Sequence, residues 1–175
     1  MEEARRRARA KALAGWRESL RDERLAGART LDAIRPVFPA WIDRRHGQLS
    51  FHLTQILTGH GCFGAYLQRI GKERSARCHH CRRSVVDDAQ HTLQDCEAWR
   101  EERAELQEEV GQDLAPTALV REMVSGESAW RAVATFAIKV MIAKERAERE
   151  REREEEGNSP SSSRTARGGK RWWRR

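Results

Sequence analysis

The segment from Cys78 to Cys96 constrains the fold of this chain more than any other, because it contains three of the four cysteines. With one histidine they form a Cys-x2-Cys-x9-His-x4-Cys pattern, whose members are Cys78, Cys81, His91 and Cys96. Structural zinc is held by four Cys or His side chains at the corners of a tetrahedron, and two cysteines separated by two residues can supply one edge within a tight turn. The pattern therefore predicts one structural Zn²⁺ ion, since four protein ligands leave no position for a catalytic water.

The second pair of ligands is expected at the end of a short helix. Asp87 and Asp88 precede His91, and acidic residues are favoured at a helix start, where they accept backbone N–H groups and face the positive end of the helix dipole. A His-x4-Cys pair would lie about 140° apart on an ideal helix. Cys96 is therefore expected to lie beyond the helix, where it can turn back towards the metal.

Two histidines beside the first cysteine pair and the fourth cysteine lie outside this pattern. His79 and His80 lie inside the first turn, and either could replace His91 as the third ligand. We expect them instead to face solvent or a phosphate, because neither has the rigid helical presentation of His91. Cys62 has no partner cysteine outside the pattern and no secretory signal precedes it, so we expect no disulfide framework and a reducing, intracellular location.

A longer set of residues resembles a known family. The resemblance runs from about Trp16 to Lys144 and includes the ligand pattern, the Trp41–Gly47 segment WIDRRHG, the Phe51–Phe63 segment FHLTQILTGHGCF, Tyr66-Leu67, Ile70-Gly71, Gln90–Leu93 and Asp95-Cys96. These residues are similar to the C-terminal region of non-LTR retrotransposon pol polyproteins, in particular to type-1 elements of arthropods that insert into ribosomal DNA.

The resemblance implies a binding role. Such polyproteins carry an endonuclease and a reverse transcriptase upstream and end in a Cys-Cys-His-Cys segment thought to bind nucleic acid, whose zinc ligands correspond to Cys78, Cys81, His91 and Cys96. The nine residues between Cys81 and His91 exceed the spacing in retroviral nucleocapsid knuckles, so we do not expect the base-stacking mode of those knuckles. We expect this chain to be the part without the catalytic domains: a truncated element copy, a gene model with misplaced boundaries, or a fragment retained for binding.

The sequence contains no recognisable catalytic set. It lacks a Gly-rich phosphate loop, a nucleophile with an identifiable base, and the paired aspartates with which polymerases hold two metals. It also lacks an apolar run near the ~20 residues that a membrane span needs. We therefore expect a protein that is not an enzyme and has no membrane span, and the resemblance implies that nucleic acid, RNA or DNA, is its partner.

Positive charge is concentrated at the C-terminus. Residues 157–175 contain six Lys or Arg and no acidic residue, whereas the formal net charge of the whole chain is +7. Such a segment, with two tryptophans, suits stacking on unpaired bases, but also a membrane interface or nuclear import. We expect nucleic-acid binding or import and a nuclear location. The candidate nucleic-acid contacts in this tail are Arg164, Arg167, Lys170, Arg171, Trp172, Trp173, Arg174 and Arg175; those around the first ligand pair are Arg69, Lys72, Arg74, Arg77, Arg82 and Arg83.

These patterns predict an all-α protein in four parts. Residues 1–30 form a charged amphipathic helix, residues 31–143 a helical zinc-binding domain with a zinc knuckle at 78–96, residues 144–156 a solvated charged helix and residues 157–175 a disordered basic tail. The first helix is expected to dock onto the core, although its arginines could contact nucleic acid. The solvated helix has only mixed-sign charge pairs and alanine, so we expect no core contact for it.

Helical periodicity predicts the core. Ser50 is a candidate N-cap for a helix through Thr58 that Gly59 ends, and a further helix is expected from about Pro116 to Val124. A long helix from about Glu127 has an apolar face that would close the core or mediate self-association, formed by Trp130, Val133, Phe136, Ala137, Val140 and Met141. The other core candidates are Phe51, Ile56, Leu57, Phe63, Tyr66, Leu67, Ile70, Trp99, Leu106 and Val110.

The sequence thus predicts a zinc-dependent nucleic-acid-binding accessory domain. The alternative is a zinc-stabilised protein-interaction or oligomerisation module, in which the apolar face of the long helix meets another helix. Salt dependence distinguishes them, because binding to phosphates weakens steeply with salt whereas an apolar interface does not.

Overall fold

A computed structural model describes residues 1–20 and 27–158 of the 175-residue chain. Within these ranges the protein is all-α, as predicted, with no β-strand beyond one isolated bridge. None of the described helices is long and apolar enough to cross a membrane. The helices are α1 (Glu2–Ser19), α2 (Ala28–Ile34), α3 (Phe38–Asp43), α4 (Phe51–Thr58), α5 (Gly64–Arg69), α6 (Ala89–Gln94), α7 (Arg100–Val110), α8 (Pro116–Ser125) and α9 (Glu127–Asn158).

Helix α9 is the element around which the core is packed. It contacts α4, α7 and α8, and its predicted apolar face, Trp130 to Met141, is buried against them. This confirms the first of the two predicted roles for that face. Self-association through the same residues is not available to the folded chain, because the core already occupies them. The exposed apolar side chains that remain on α9 are Ile138 and Ile142.

The predicted limits of α4 are confirmed. Ser50 is its N-cap, with the hydroxyl oxygen accepting a hydrogen bond from the Leu53 N–H at 3.2 Å, and Gly59 ends it in the left-handed conformation at φ 71°. Phe51 was expected in the core but is 58% exposed, because Leu53 and Ile56 occupy the buried face of α4. Ile70, another core candidate, is also exposed, since α5 ends at Arg69 and the chain turns outward there.

The segment before α4 is anchored by contact between its Trp41 and Trp130 of α9. The rings of Trp41 and Trp130 lie 5.5 Å apart, and the Arg44 guanidinium lies over both, at 4.2 Å and 4.6 Å. Gly47 passes so close that a Cβ at this position would lie 2.2 Å from the Trp130 ring, and its φ is +72°. Glycine is therefore required here on two grounds, close approach and backbone conformation.

Helix α1 differs from its expectation. It ends at Ser19 rather than near residue 30, and none of its residues is buried. Trp16, its largest apolar residue, is 57% exposed. Among the described residues, α1 contacts the rest of the protein through the exposed ion pair between Arg9 and Asp43. The expectation that α1 docks onto the core is therefore wrong for the described residues, because too few apolar side chains are available among its charges.

The expectation of a fully solvated helix over residues 144–156 is also wrong. The segment is helical, as the C-terminal half of α9, but Lys144 is 1% exposed and Glu148 is 5% exposed. Charged residues can be buried when each finds a partner of opposite charge. The partners of this segment lie in the metal-binding region. The predicted tail contacts, from Arg164 to Arg175, lie outside the described residues.

Candidate metal centre

The four predicted ligands converge on one point. The ligand atoms of Cys78, Cys81, His91 and Cys96 all lie within 4.8 Å of one another. The Sγ atoms of Cys78 and Cys96 are 3.9 Å apart, and Cys81 Sγ lies 3.6 Å from His91 Nε2. Cys78, His91 and Cys96 are buried, whereas Cys81 is partly exposed at the edge of the cluster. This Cys3His group could hold a metal ion.

The first ligand pair lies in a narrow loop of residues 76–87, the metal loop, which is closed by backbone hydrogen bonds. Cys78 N donates to Val85 O at 2.9 Å, and Asp87 N donates to Ala76 O at 2.7 Å. Within the loop, His80 N points at Cys78 Sγ at 3.4 Å. Such N–H donors stabilise a thiolate, the form of cysteine that binds metals. The loop therefore fixes the first edge of the site through its own backbone.

The second pair is positioned by helix α6. Asp88 is the N-cap of this helix, with Oδ1 accepting a hydrogen bond from His91 N at 2.7 Å. The helix ends at Gln94, and Cys96 N donates to His91 O at 2.8 Å from outside the helix. Both expectations are confirmed: the acidic pair starts the helix, and Cys96 leaves it to reach the site.

Arg103 of α7 holds the far side of the cluster, a role that the sequence analysis did not assign. Its guanidinium donates to Leu93 O at 2.7 Å and to Cys96 O at 2.5 Å. The Leu93 carbonyl lies at the C-terminal end of α6, where backbone acceptors have no partner within the helix, and the Cys96 carbonyl lies two residues beyond that end. Arg103 therefore fixes the backbone on which Cys96 is carried. Its sequence signal was weak, because a charged residue in an apolar stripe also fits a solvated position.

The alternative ligands His79 and His80 are not members of the cluster. The His80 ring packs 5.1 Å from the Trp99 ring, and burial lowers the pKa of His80 to about 4. His79 Nε2 lies 3.9 Å from a carboxylate oxygen of Glu73. The expectation that both face solvent or a phosphate is therefore wrong for His80, which is partly buried against an indole ring.

The cysteines differ in their acid–base environment. The hydrogen bond that joins Cys78 and Cys96 lowers the pKa of the Cys78 thiol and raises that of Cys96, so the pair loses its first proton readily and its second with difficulty. A metal ion would stabilise both thiolates together. Cys62 lies outside the cluster, and burial, aided by a hydrogen bond with Glu148, raises the pKa of its thiol. Cys62 is thus an inert core thiol in the folded chain.

A buried ion pair joins the metal loop to α9. Lys144 Nζ donates to both carboxylate oxygens of Asp87, at 2.7 Å and 2.9 Å. Asp87 Oδ2 also accepts from Gly64 N at 3.0 Å, so its charge is well satisfied. The Lys144 side chain passes the Phe63 ring at 5.3 Å. No sequence pattern predicts this pair, because its partners are separated by 57 residues and Lys144 opens a run of charges that resembles a solvated face.

Further polar contacts follow the same side of α9. His52 Nε2 lies 3.3 Å from Glu145 Oε1, and Arg151 donates to Glu73 at 3.4 Å. Lys72 lies 3.8 Å from Glu148 and 3.5 Å from Glu152. The C-terminal half of α9 is therefore held against α4, α5 and the metal loop by charge pairs, in contrast to the apolar packing of its first half.

The six basic residues predicted around the first ligand pair are all exposed. Lys72 is engaged with α9, and the Arg69 guanidinium lies 5.1 Å from the centre of the Tyr66 ring. No described residue forms an ion pair with the remaining four, which are Arg74, Arg77, Arg82 and Arg83.

The fold and the cluster define a helical protein with a Cys3His site that could hold a metal ion. No family model matches the chain, and no curated protein or solved structure is significantly similar to it.

Proposed function

We propose that this chain is a zinc-stabilised nucleic-acid-binding module of the kind found at the C-terminal end of non-LTR retrotransposon polyproteins. The proposal has two parts, the identity of the metal and the nature of the partner. Both rest on the Cys3His cluster and on the arginines that the same loop carries. The proposed site of action is the nucleus, where such a module would meet its nucleic acid.

Zinc is supported by the spacing of the ligand atoms. Tetrahedral zinc with Zn–S bonds of about 2.3 Å and Zn–N bonds of about 2.0 Å separates two sulfurs by about 3.8 Å and a sulfur from a nitrogen by about 3.5 Å. The corresponding separations are 3.9 Å for Cys78 and Cys96 and 3.6 Å for Cys81 and His91. Three thiolates and one imidazole are also a donor set typical of structural zinc. When bound, the ion would tie the loop to α6 and supply no reaction of its own.

Nucleic acid is supported by unpaired arginines on and beside the metal loop. Arg82 and Arg83 lie within the loop, Arg77 lies at its base, and no described residue neutralises them. Arginine guanidinium groups bind phosphates well, and each such contact releases counterions from the nucleic acid. This is the observation that carries the proposal: the metal would fix a loop whose exposed charges have no partner within the described protein.

The basic sequence that follows α9 adds to this proposal. Glu152 lies 3.5 Å from Lys72, and α9 ends at Asn158, about 9 Å further along the helix at 1.5 Å per residue. In sequence, the six basic residues of segment 157–175 therefore come directly after the end of the molecule that carries the metal loop. A single strand of nucleic acid could contact both at once.

A salt titration tests the proposal. The zinc-loaded chain should bind a labelled single-stranded oligonucleotide with an affinity that falls steeply as salt rises. In the double variant Arg82→Gln, Arg83→Gln, the slope of log K against log salt should become less negative by about 1.4, because each phosphate contact on a single strand contributes about 0.7. The matched control is Arg100→Gln, Arg121→Gln, which removes two exposed arginines from α7 and α8.

The control should leave the slope unchanged. Absence of binding by the zinc-loaded chain would contradict the proposed function, and an equal change in the two double variants would contradict the role of the loop. A stable, salt-insensitive oligomer without nucleic-acid binding would instead favour the protein-interaction alternative.

A further inference from the structure

An exposed histidine is stacked on the chain's single tyrosine, next to the metal loop. The rings of His60 and Tyr66 lie 4.8 Å apart with their planes inclined by 27°. The Arg69 guanidinium carbon lies 5.1 Å from the centre of the same tyrosine ring. Tyr66 is partly buried against the core, whereas His60 and Arg69 are exposed. The result is a layered group of two rings and one cation at the surface.

Two hydrogen bonds to residues of α4 hold the turn that carries His60. Gly59 N donates to Gln55 O at 2.8 Å as α4 ends, and His60 N donates to the Thr58 hydroxyl at 3.3 Å. Gly61 has a φ of +146°, and a Cβ there would lie 2.8 Å from the side-chain nitrogen of the buried Gln55. Glycines on both sides therefore allow a tight turn that presents the imidazole on the tyrosine ring.

Basic residues are held beside this group by the chain that follows α5. Lys72 N donates to Leu67 O at 2.9 Å, and the Gln68 side chain donates to Arg74 O at 3.2 Å. Both contacts fold the chain back along α5, so that the Arg74 backbone lies against Gln68, the residue before Arg69. Core packing explains why part of Tyr66 is buried. It does not explain why the exposed ring of His60 covers Tyr66 beside basic residues.

Flat rings next to guanidinium groups match the chemistry of an unpaired nucleotide. Bases of single-stranded RNA or DNA stack on the faces of Tyr and His rings, while Arg binds the adjacent phosphate. The bases of a duplex are already stacked on each other and cannot use such a surface.

We infer that His60, Tyr66 and Arg69 form a stacking site for an unpaired base of single-stranded nucleic acid. His60 supplies the outer stacking face, Tyr66 supports it from the core, and Arg69 contacts the phosphate. The site rests on the proposed function and adds to it a preference for single strands over duplex. It also places one point of contact on α5 and the turn before it.

The test compares single-stranded and duplex oligonucleotides of the same sequence with the zinc-loaded full chain. His60→Ala should weaken single-strand binding about 5- to 100-fold, the range expected for loss of one stacked base, and leave duplex binding and the salt slope unchanged. Phe51→Ala is the matched control, because Phe51 is an exposed aromatic residue on the neighbouring α4. It should change neither affinity.

A second measurement does not depend on variants. A single strand that contains a photoreactive uridine should form crosslinks to the peptide that carries residues 60–66 of the unaltered chain. The inference is overturned if His60→Ala binds single strands within twofold of the unaltered chain, if it weakens duplex binding equally, or if all crosslinks fall outside this peptide. Any of these results, with salt-dependent binding retained, would leave the proposed function standing; loss of binding in the unaltered chain would remove both.

Discussion

At the scale of single residues, the site depends on contacts behind the ligands. Asp87 pairs with Lys144 and is followed directly by Asp88, which caps the helix that carries His91. Arg103 holds the backbone of Cys96 from the other side. Partners behind the ligands orient a metal site and contribute to its affinity. The two edges of the cluster are therefore supported by different helices, α9 and α7.

Removing the buried lysine should destabilise the protein strongly. Lys144→Met leaves the Asp87 carboxylate buried without its counter-charge, which costs about 3–5 kcal/mol in comparable sites. Lys139→Met is the control. Lys139 lies on α9 like Lys144, but its pair with Glu105 of α7 is exposed, and exposed pairs contribute little. Urea denaturation of the zinc-loaded variants measures the difference. Equal free energies of unfolding for the two variants would show that the buried pair is unimportant.

Loss of a ligand should release the metal. Elemental analysis should find one zinc per unaltered chain, and Cys78→Ser should lose the metal and unfold the loop, because metal binding and folding are coupled in small zinc sites. Cys62→Ser keeps all four ligands and should keep the zinc. The ligand assignment would be wrong if Cys62→Ser released zinc while His91→Ala retained it.

The four clustered residues could be predicted from sequence, whereas the residues that support them could not. Cys78, Cys81, His91 and Cys96 carry their geometry in their spacing, since each pair is local in the chain. The Asp87 and Lys144 pair has no local signal. A lysine at the start of a charged run is usually solvated, and only the fold shows that this one is 1% exposed.

At the scale of helices, the local sequence predicted where a helix begins and ends better than it predicted which residues face outward. Ser50 and Gly59 bound α4 as expected, and α8 begins at Pro116 and ends before Gly126, since caps and breakers act through neighbouring backbone groups. Phe51 was misassigned because a residue in the first turn can face outward even when it is apolar. Periodicity also overestimated α1, whose apolar residues do not reach the core.

The two charged ends of the chain should therefore differ in their effect on stability. Deleting residues 1–20 should change the free energy of unfolding by less than about 1 kcal/mol, because this segment buries no side chain and its ion pair to Asp43 is exposed. Ending the chain at Ala143 should destabilise the metal loop, since Lys144 and Glu148 are lost. A chain that ends at Asn158 is the control and should remain as stable as the full chain.

Thermal denaturation of the three truncated chains gives the comparison. If the chain that ends at Ala143 unfolded at the same temperature as the chain that ends at Asn158, the C-terminal half of α9 would have no structural role.

At the scale of the whole molecule, α9 joins two regions with different kinds of packing. Its first half is buried by apolar contacts with α4, α7 and α8, and its second half is held by charge pairs near the metal loop. The all-α class followed from periodicity, because the apolar face of α9 is wide enough to be recognised. The placement of the metal loop against α9 did not, because it depends on charges that are distant in sequence.

In the proposed function, zinc fixes a loop that binds nucleic acid. The most direct test uses residues 1–158, which lack the basic tail, and measures single-strand affinity before and after zinc is removed with a chelator. The zinc-loaded protein should bind in a salt-dependent way, lose that binding when the metal is removed, and recover it when zinc is restored. Unchanged affinity after complete removal of zinc, confirmed by elemental analysis, would contradict it.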